Sequence, residues 1–139
     1  LHAASLRTKH GKECGVLLDP WRQTTKAMIG CYVDPSQVWS TVTPIVLPGH
    51  DSGKRKKACR LSRAAVLHAK LPAEAIVEFE LRKTPFWHGS QHALQYYKPK
   101  YLVNCGTWHV RLRFRHAVTG PLAIGAGRHC GLGLFAAER

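Results

Sequence analysis

The sequence lacks any long hydrophobic run. No apolar stretch approaches the roughly 20 residues that a helix needs to cross a bilayer, and the chain does not open with the basic, apolar and small-residue segments of a signal peptide. We therefore expect a soluble, intracellular protein without a membrane partner. Leu1 is not an initiator residue, so we also expect the chain to be part of a longer protein.

Paired cysteines are also absent. The five cysteines are odd in number, widely scattered and never in a CxxC spacing, which argues against a zinc site and a disulfide framework. His88 and His92 lie at helical spacing but have no third ligand nearby. We expect reduced, mostly buried thiols, no metal site and no cofactor.

Acidic residues are scarce. The chain has 8 Asp and Glu against 21 Lys and Arg, a formal net charge of +13 over 139 residues. Self-repulsion of this size usually persists only where an anionic polymer or a membrane surface offsets it. Because a membrane is disfavoured, nucleic acid is the expected partner. The length and the apolar fraction of 45% suit one folded domain.

Readable secondary structure begins at residue 38. Residues 1–37 mix short apolar pieces with basic and turn residues and show no sustained period. From 38 to 47, β-branched residues predict a strand that Pro44 confines to a sheet edge or interrupts with a bulge. A helix is predicted over 54–70 with Asp51 or Ser52 as its cap, and strands are predicted over 76–81 and 108–115.

This order of elements predicts an α+β fold. A strand, a helix and three further strands are compatible with a ferredoxin-like (RRM-like) antiparallel sheet. Its distinguishing parts are a basic helix and a C-terminal glycine-rich loop. We expect residues 1–37 to be a separate N-terminal segment that continues from an absent upstream domain, and residues 38–139 to form the RNA-binding domain.

Two cationic surfaces are candidates for RNA binding. The predicted helix carries more like charges than an isolated helix tolerates, and the alternation in the 108–115 strand places its arginines and His109 opposite an apolar face. Arginine pairs with phosphate bidentately. The alternatives are a solvated helix face and a strand balanced by Glu78 and Glu80. The candidate RNA-binding cations are Lys54, Arg55, Lys56, Lys57, Arg60, Arg63, Arg111, Arg113 and Arg115.

The glycine-punctuated segment 120–135 is the most specific feature. Glycines permit positive φ and close backbone approach, so that amide N–H groups can line a concavity for phosphate oxygens. The spacing after Gly125, the strand that follows and the lack of a Walker lysine exclude the common nucleotide-binding motifs. The alternative is a run of tight turns that closes the sheet. The candidate RNA-binding residues here are Gly120, Gly125, Gly127, Arg128, Gly131 and Gly133.

His50 and His129 are the candidate catalytic residues. In a ferredoxin-like sheet the last strand lies beside the first and antiparallel to it, so His50 after the first strand would approach Arg128 and His129 before the last. Two imidazoles beside a cation suit RNA cleavage without a metal, because they supply a base for the 2′-hydroxyl and an acid for the leaving oxygen. The alternative for each is a loop histidine that contacts RNA or water.

Three segments, 39–48, 108–114 and 120–135, carry a resemblance to a known family. Through them the chain resembles the RAMP superfamily of CRISPR systems, specifically the fused backbone and processing subunit of type I-G, formerly I-U, effector complexes. The resemblance implies that this chain is the C-terminal, repeat-processing half of a prokaryotic cytoplasmic protein. Such a half has a ferredoxin-like fold, grips the repeat hairpin of CRISPR RNA and cuts below it without metal. It then stays on the guide's 3′ end with the other effector subunits.

The resemblance implies RNA contact by the glycine-rich loop, which the five glycines of 120–135 match. A catalytic histidine is common in processing members but varies in position, so the family does not choose between His50 and His129. The chain departs from the family pattern because no clear second helix lies between Arg115 and Gly120. Two other functions stay open: a non-catalytic subunit that only holds the RNA handle, and a ribosomal or other basic RNA-binding protein.

Overall fold

The structure, a computed structural model, describes residues 4–17 and 23–139. The chain divides into two compact units, Leu1–Gly30 and Cys31–Arg139. The segment 1–37, whose sequence shows no sustained period, contains a hairpin and a helix. The hairpin strands are β1 (Ala4–Arg7) and β2 (Glu13–Leu17), which pair antiparallel, and the helix is α1 (Gln23–Val33).

The second unit is built on an antiparallel sheet of five strands. Neighbouring strands follow the order β7, β3, β6, β5, and a short β4 also pairs with β6. This is the strand order of a ferredoxin-like sheet, so the predicted α+β fold is confirmed. The elements are β3 (Ser36–Thr41), β4 (Ile45–Val46), α2 (Arg55–His68), β5 (Ile76–Arg82), β6 (Thr107–Val118) and β7 (Phe135–Ala137).

Pro44 interrupts the first strand of this sheet, as the sequence predicted. Proline cannot donate a ladder hydrogen bond, and the backbone leaves the sheet between β3 and β4. There the Pro44 carbonyl accepts a hydrogen bond from the N–H of Gly133 at 2.8 Å. The strand is not at an edge, because β3 lies between β6 and β7.

Helix α2 and the apolar side of β6 form the core. The predicted alternation of β6 is confirmed, since Val110, Leu112 and Phe114 are buried. The helix matches its predicted range within two residues at its C-terminal end. On this helix Leu61 is half-buried and His68 is exposed. The buried helix residues are Ala58, Ser62, Ala65 and Val66.

In place of a second helix, the glycine-rich segment packs back onto the first strand. The N–H of Ala126 donates to the Val46 carbonyl at 2.8 Å, and a short 3-10 turn, Arg128–Cys130, is its only helical part. Between this segment and residues 83–106, Val46, Leu102 and Leu132 form a small second core. The sequence-based expectation that no second helix precedes the last strand therefore agrees with the fold.

The predicted helix cap is wrong. Helix α2 begins after Lys54, which makes no side-chain cap hydrogen bond. Asp51 is buried instead, and its carboxylate accepts hydrogen bonds from Trp108 Nε1 at 2.6 Å and from the N–H of Gly53 at 3.0 Å. The N-terminus of α2 consequently keeps unsatisfied N–H groups, which favour an anion.

A long connection, residues 83–106, joins β5 to β6 and covers part of the sheet. Trp87 Nε1 donates to the Ser40 carbonyl at 3.3 Å, and the Tyr96 hydroxyl donates to the Val42 carbonyl at 3.4 Å. Two short 3-10 turns, Ala93–Gln95 and Lys100–Leu102, punctuate it. The connection is thus fastened to the first strand from the outer face of the sheet.

This cover explains why His109 does not lie on an open cationic face, as the alternation predicted. His109 is fully buried, with Nδ1 2.9 Å from Thr41 Oγ1 and Nε2 2.8 Å from the Gln91 carbonyl. The Gln91 carbonyl only accepts, so Nε2 carries the proton, and in the neutral ring Nδ1 accepts from the Thr41 hydroxyl. His109 thus links the connection to the sheet through both ring nitrogens.

We expect the protein to lose stability as the pH falls below about 6.5. Burial lowers the pKa of His109 below its ordinary value of 6.5, although its hydrogen bonds oppose the shift. The unfolded chain therefore binds the proton more readily, and the free energy of unfolding decreases as the pH falls from 6.5 towards the folded pKa. Urea unfolding at several pH values tests this; a pH slope that persists unchanged in His109→Gln would contradict it.

Among the described residues, no helix is long and apolar enough to cross a membrane. The same residues contain no group of three His, Cys, Asp or Glu that could hold a metal ion.

Cys59 and Cys105 are half-buried and Cys130 is exposed. The expectation of mostly buried thiols is wrong for these three.

Candidate functional site

The cations of α2 face two directions. Arg55 Nη2 donates to the Leu81 carbonyl at 2.6 Å, and the Arg63 guanidinium lies 5.3 Å from the centroid of the Phe79 ring. These two arginines are held against β5. The other four cations line one open groove at the start of the helix: Lys54, Lys56, Lys57 and Arg60.

This groove combines like charges with the positive end of the helix dipole. The first turn of α2 has no acidic residue and no side-chain cap, and within the described residues none of the four groove cations forms an ion pair. Free N–H groups and unpaired cations at a helix N-terminus favour phosphate. The groove is the least neutralised part of the predicted RNA-binding surface.

The predicted arginine face of β6 is largely neutralised inside the protein. Arg111 makes a bidentate pair with Glu138, with Nε–Oε1 2.9 Å and Nη2–Oε2 2.8 Å. This hydrogen bonding raises the pKa of Arg111. Arg113 Nε lies 3.0 Å from Glu78. The alternative of an acid-balanced strand therefore describes Arg113, while Arg115 alone of the three has no ion pair in the described chain.

Most glycines of the predicted RNA-binding loop are required by its own packing. A Cβ placed at Gly120, Gly125, Gly127 or Gly133 would meet protein atoms at 3.0 Å or less. Only Gly131 has open space around that position. These contacts support the alternative of tight turns that close the sheet, and RNA contact by the loop stays a prediction.

Arg128 turns away from the exposed surface of this loop. Its Nη1 donates to the Gly125 carbonyl at 3.1 Å. With Pro48 and His68 it lines a cavity of about 160 Å³ between the loop and the end of α2. Arg128 is therefore half-buried beside the helix and does not line the cavity that contains His50.

His50 lines a different cavity, of about 250 Å³, formed mainly by the connection 83–106. Its Nδ1 lies 2.8 Å from the Asn104 carbonyl oxygen. Because a carbonyl oxygen only accepts, Nδ1 carries the proton in the neutral ring and Nε2 presents a lone pair. The backbone thus holds the imidazole in the tautomer that a general base requires.

Lys83 lies in the same cavity and was not predicted. Its Nζ donates to the Thr107 carbonyl and lies 3.8 Å from the centroid of the Trp108 ring. Burial lowers the pKa of Lys83, although the charge of Asp51 opposes that shift. A partly desolvated ammonium of this kind can stabilise negative charge and give up a proton.

Lys98 is the second unpredicted cation of the cavity. Its Nζ donates to the Val103 carbonyl at 3.1 Å and to the Cys105 carbonyl at 2.6 Å. Like Lys83, it comes from the connection, whose sequence shows no period. The one signal was charge: residues 83–107 contain no acidic residue.

Asp51 supplies negative charge beneath the cavity. Burial raises the pKa of its carboxyl, but the hydrogen bonds from Trp108 and Gly53, together with the charges of Lys83 and His50, lower it below the ordinary value. Asp51 is therefore ionised at neutral pH. Its carboxylate lines the same cavity as the His50 ring.

His129 is exposed in the 3-10 turn Arg128–Cys130. The next residue, Cys130, has its Sγ 3.6 Å from the Tyr101 hydroxyl, and Tyr101 precedes Asn104, which holds His50. The residue after His129 therefore contacts the same turn whose Asn104 holds His50. In the described chain no hydrogen bond or shared cavity joins the two rings, so their predicted cooperation stays a prediction.

These features define a class: a basic, antiparallel α+β domain with ferredoxin-like strand order, a cationic helix groove and a histidine-lined cavity. Residues 7–137 match the profile of the family described as CRISPR-associated protein, GSU0054 family, and the chain therefore belongs to that family. No curated protein and no solved structure matches the chain. The resemblance to a CRISPR-associated protein is confirmed, and the family places the chain in CRISPR defence.

Proposed function

We propose that this chain binds the repeat of CRISPR RNA and cleaves it by attack of a 2′-hydroxyl on the adjacent phosphate. The observation that carries the proposal is the His50 cavity in a CRISPR-associated protein: an imidazole with an available Nε2 beside two ammonium groups. The protein then stays on the 3′ end of the guide in a type I effector complex, as the C-terminal half of a fused type I-G subunit. Its partners are the RNA and the other subunits, in the prokaryotic cytoplasm.

The chemistry divides among residues around the cavity. Nε2 of His50 takes the proton of the 2′-hydroxyl as the 2′-oxygen bonds to phosphorus. The Asp51 carboxylate stabilises the imidazolium that forms, while Lys83 and Lys98 offset the charge on the phosphorane oxygens. The bond between phosphorus and the 5′-oxygen then breaks, which leaves a 2′,3′-cyclic phosphate.

The leaving 5′-oxygen needs a proton from a second group. His129 is one candidate, because the sequence predicts it as the second catalytic histidine and the residue after it contacts Tyr101, in the turn whose Asn104 holds His50. Lys83 is the other candidate, because it lines the cavity and burial lowers its pKa. Either group restores the proton balance, since His50 holds the proton taken from the 2′-hydroxyl.

The groove on α2 supports a second candidate function, a structural subunit that holds RNA without cutting it. Its four cations line none of the His50 cavity, so they would bind the phosphate backbone whether or not cleavage occurs. In a nuclease the same groove would hold the repeat while the cavity receives the scissile phosphate. The two functions therefore differ in cleavage and not in binding.

We expect the protein, in its full-length context, to cleave its repeat RNA in the presence of a chelator. The base is an imidazole, so removal of divalent cations leaves the reaction intact. A denaturing gel resolves the products, and mass spectrometry identifies the 2′,3′-cyclic phosphate. The matched control is the same RNA with a 2′-deoxy nucleotide at the cut position, which binds but is not cut. Tight binding of the unmodified repeat without cleavage would establish the structural subunit instead.

A further inference from the structure

We infer that the outer surface of the connection 83–106 is a stacking platform for unpaired RNA bases, formed by Tyr97 and Tyr101 beside the His50 cavity. The inference rests on the proposed function only for the identity of the bound RNA. It does not require that the RNA be cut.

Four large side chains of the connection are mostly exposed to solvent. The side chains of Tyr97 and Tyr101 are 83% and 74% exposed, and those of Leu94 and Val103 are 69% and 60% exposed. Leu94 and Val103 also line the His50 cavity, so the exposed apolar surface is continuous with it. Large exposed apolar side chains gathered on one connection are typical of an interaction surface.

A fixed scaffold carries these exposed rings. Ala93 and Leu102 of the same connection are buried, and Lys98 ties the carbonyls of Val103 and Cys105 together. The two tyrosines therefore stand on a backbone that is already held in place. A pre-ordered aromatic surface loses less conformational entropy when a ligand binds.

The positive charge of the connection indicates which kind of partner binds to this surface. Residues 83–107 contain no acidic side chain, and Lys98 and the exposed Lys100 lie between the two tyrosines in sequence. Aromatic faces among cations provide what single-stranded nucleic acid needs, since the bases stack while the phosphates meet positive charge. An apolar protein partner would gain nothing from that charge, so unpaired RNA is the better fit.

The position of Tyr101 indicates which part of the RNA would bind to the platform. Its hydroxyl lies 3.6 Å from Cys130 Sγ, beside His129, while Asn104 holds His50 on the other side of the turn. A base stacked on Tyr101 would therefore lie next to the phosphate that enters the His50 cavity. The platform would hold the unpaired nucleotides that flank the cut position.

The test measures binding alone. The probe is the repeat RNA with 2′-deoxy nucleotides at every unpaired position and at the paired nucleotides that border them, and with 2-aminopurine at single unpaired positions. The substitution removes the attacking 2′-hydroxyl at and next to the unpaired bases, and a denaturing gel checks that the bound probe stays uncut. The double variant Tyr97→Ala with Tyr101→Ala is compared with Tyr97→Phe with Tyr101→Phe, which keeps both rings. We expect the alanine variant to lose about 5- to 150-fold in affinity for each base that no longer stacks. Quenching of 2-aminopurine should disappear at those positions and persist in the phenylalanine variant.

Unchanged affinity and unchanged quenching in the alanine variant would overturn the platform. Substitution of Leu94 and Val103 by serine is the matched control for a merely apolar surface. A loss of affinity confined to that control would also overturn the inference. Because the probe stays uncut, these outcomes are independent of whether the protein cleaves RNA.

Discussion

Replacing His50 by alanine is expected to slow repeat cleavage by about 10²- to 10⁴-fold, the usual contribution of a general base. The Asn104 carbonyl accepts from Nδ1 of His50, so Nε2 keeps a lone pair that can take a proton in the cavity. The side chain is exposed, so its removal should leave the fold intact. It also lies outside the α2 groove, so the affinity for uncut RNA should change little. Single-turnover rates and equilibrium binding of the 2′-deoxy RNA measure the two effects separately.

Two further histidine variants complete this experiment. His129→Ala tests the second catalytic candidate, and a comparable slowing would identify His129 as the acid for the leaving oxygen. If His129→Ala cleaves normally while Lys83→Met does not, the acid is Lys83. His116→Ala is the control, because this histidine is also exposed but lies on β6, outside the His50 cavity. Cleavage by His50→Ala at the wild-type rate would remove His50 from the mechanism.

The parts of the fold with a sustained period were predictable from the sequence. The alternation of β6 gives its buried face directly, and the strand of 76–81 is observed as β5, Ile76–Arg82. The helix over 54–70 is observed as Arg55–His68. Its cap was not predictable, because the carboxylate of Asp51 bonds to Trp108, 57 residues away in sequence. A local capping rule cannot anticipate a tertiary partner of that kind.

Residues 1–37 show the limit of such patterns. Strands of four and five residues are too short to establish a period of two, and α1 contains a glycine and several β-branched residues, which weaken a helical pattern. Their secondary structure therefore depends on context that the sequence does not display locally.

The candidate site was predictable only in part. His50 was found because it follows a recognisable strand, but the cations beside it come from a connection without periodicity. The sequence also did not reveal that Arg111 of the predicted arginine face pairs with Glu138, because the two residues are 27 positions apart. His109 shows the opposite error: strand alternation assigned it a face correctly, but the connection buries that part of the face.

Substitution of Gly133 by alanine is expected to lower the free energy of unfolding by about 3–5 kcal/mol, among the largest effects of a single substitution. Gly133 has φ +76°, a backbone conformation that costs an L-residue about 1–2 kcal/mol, and its Cβ would collide with the Ile124 carbonyl oxygen. That collision also breaks the hydrogen bond from the Ile124 N–H to the Gly133 carbonyl, at 2.9 Å. Urea unfolding followed by circular dichroism measures the loss.

Gly131→Ala is the matched variant, because Gly131 has nearly the same φ, +77°, but nothing lies within 4 Å of the added Cβ. It should lose only the conformational cost, about 1–2 kcal/mol, and equal losses in the two variants would contradict the packing account.

The Gly131→Ala variant also distinguishes the two interpretations of the loop, RNA contact and closure of the sheet. Gly131 is exposed beside His129, so a loop that contacts RNA should bind repeat RNA more weakly when Gly131 carries a methyl group. A loop that only closes the sheet should bind as well as the wild type, because the contacts that require glycine then all lie inside the protein.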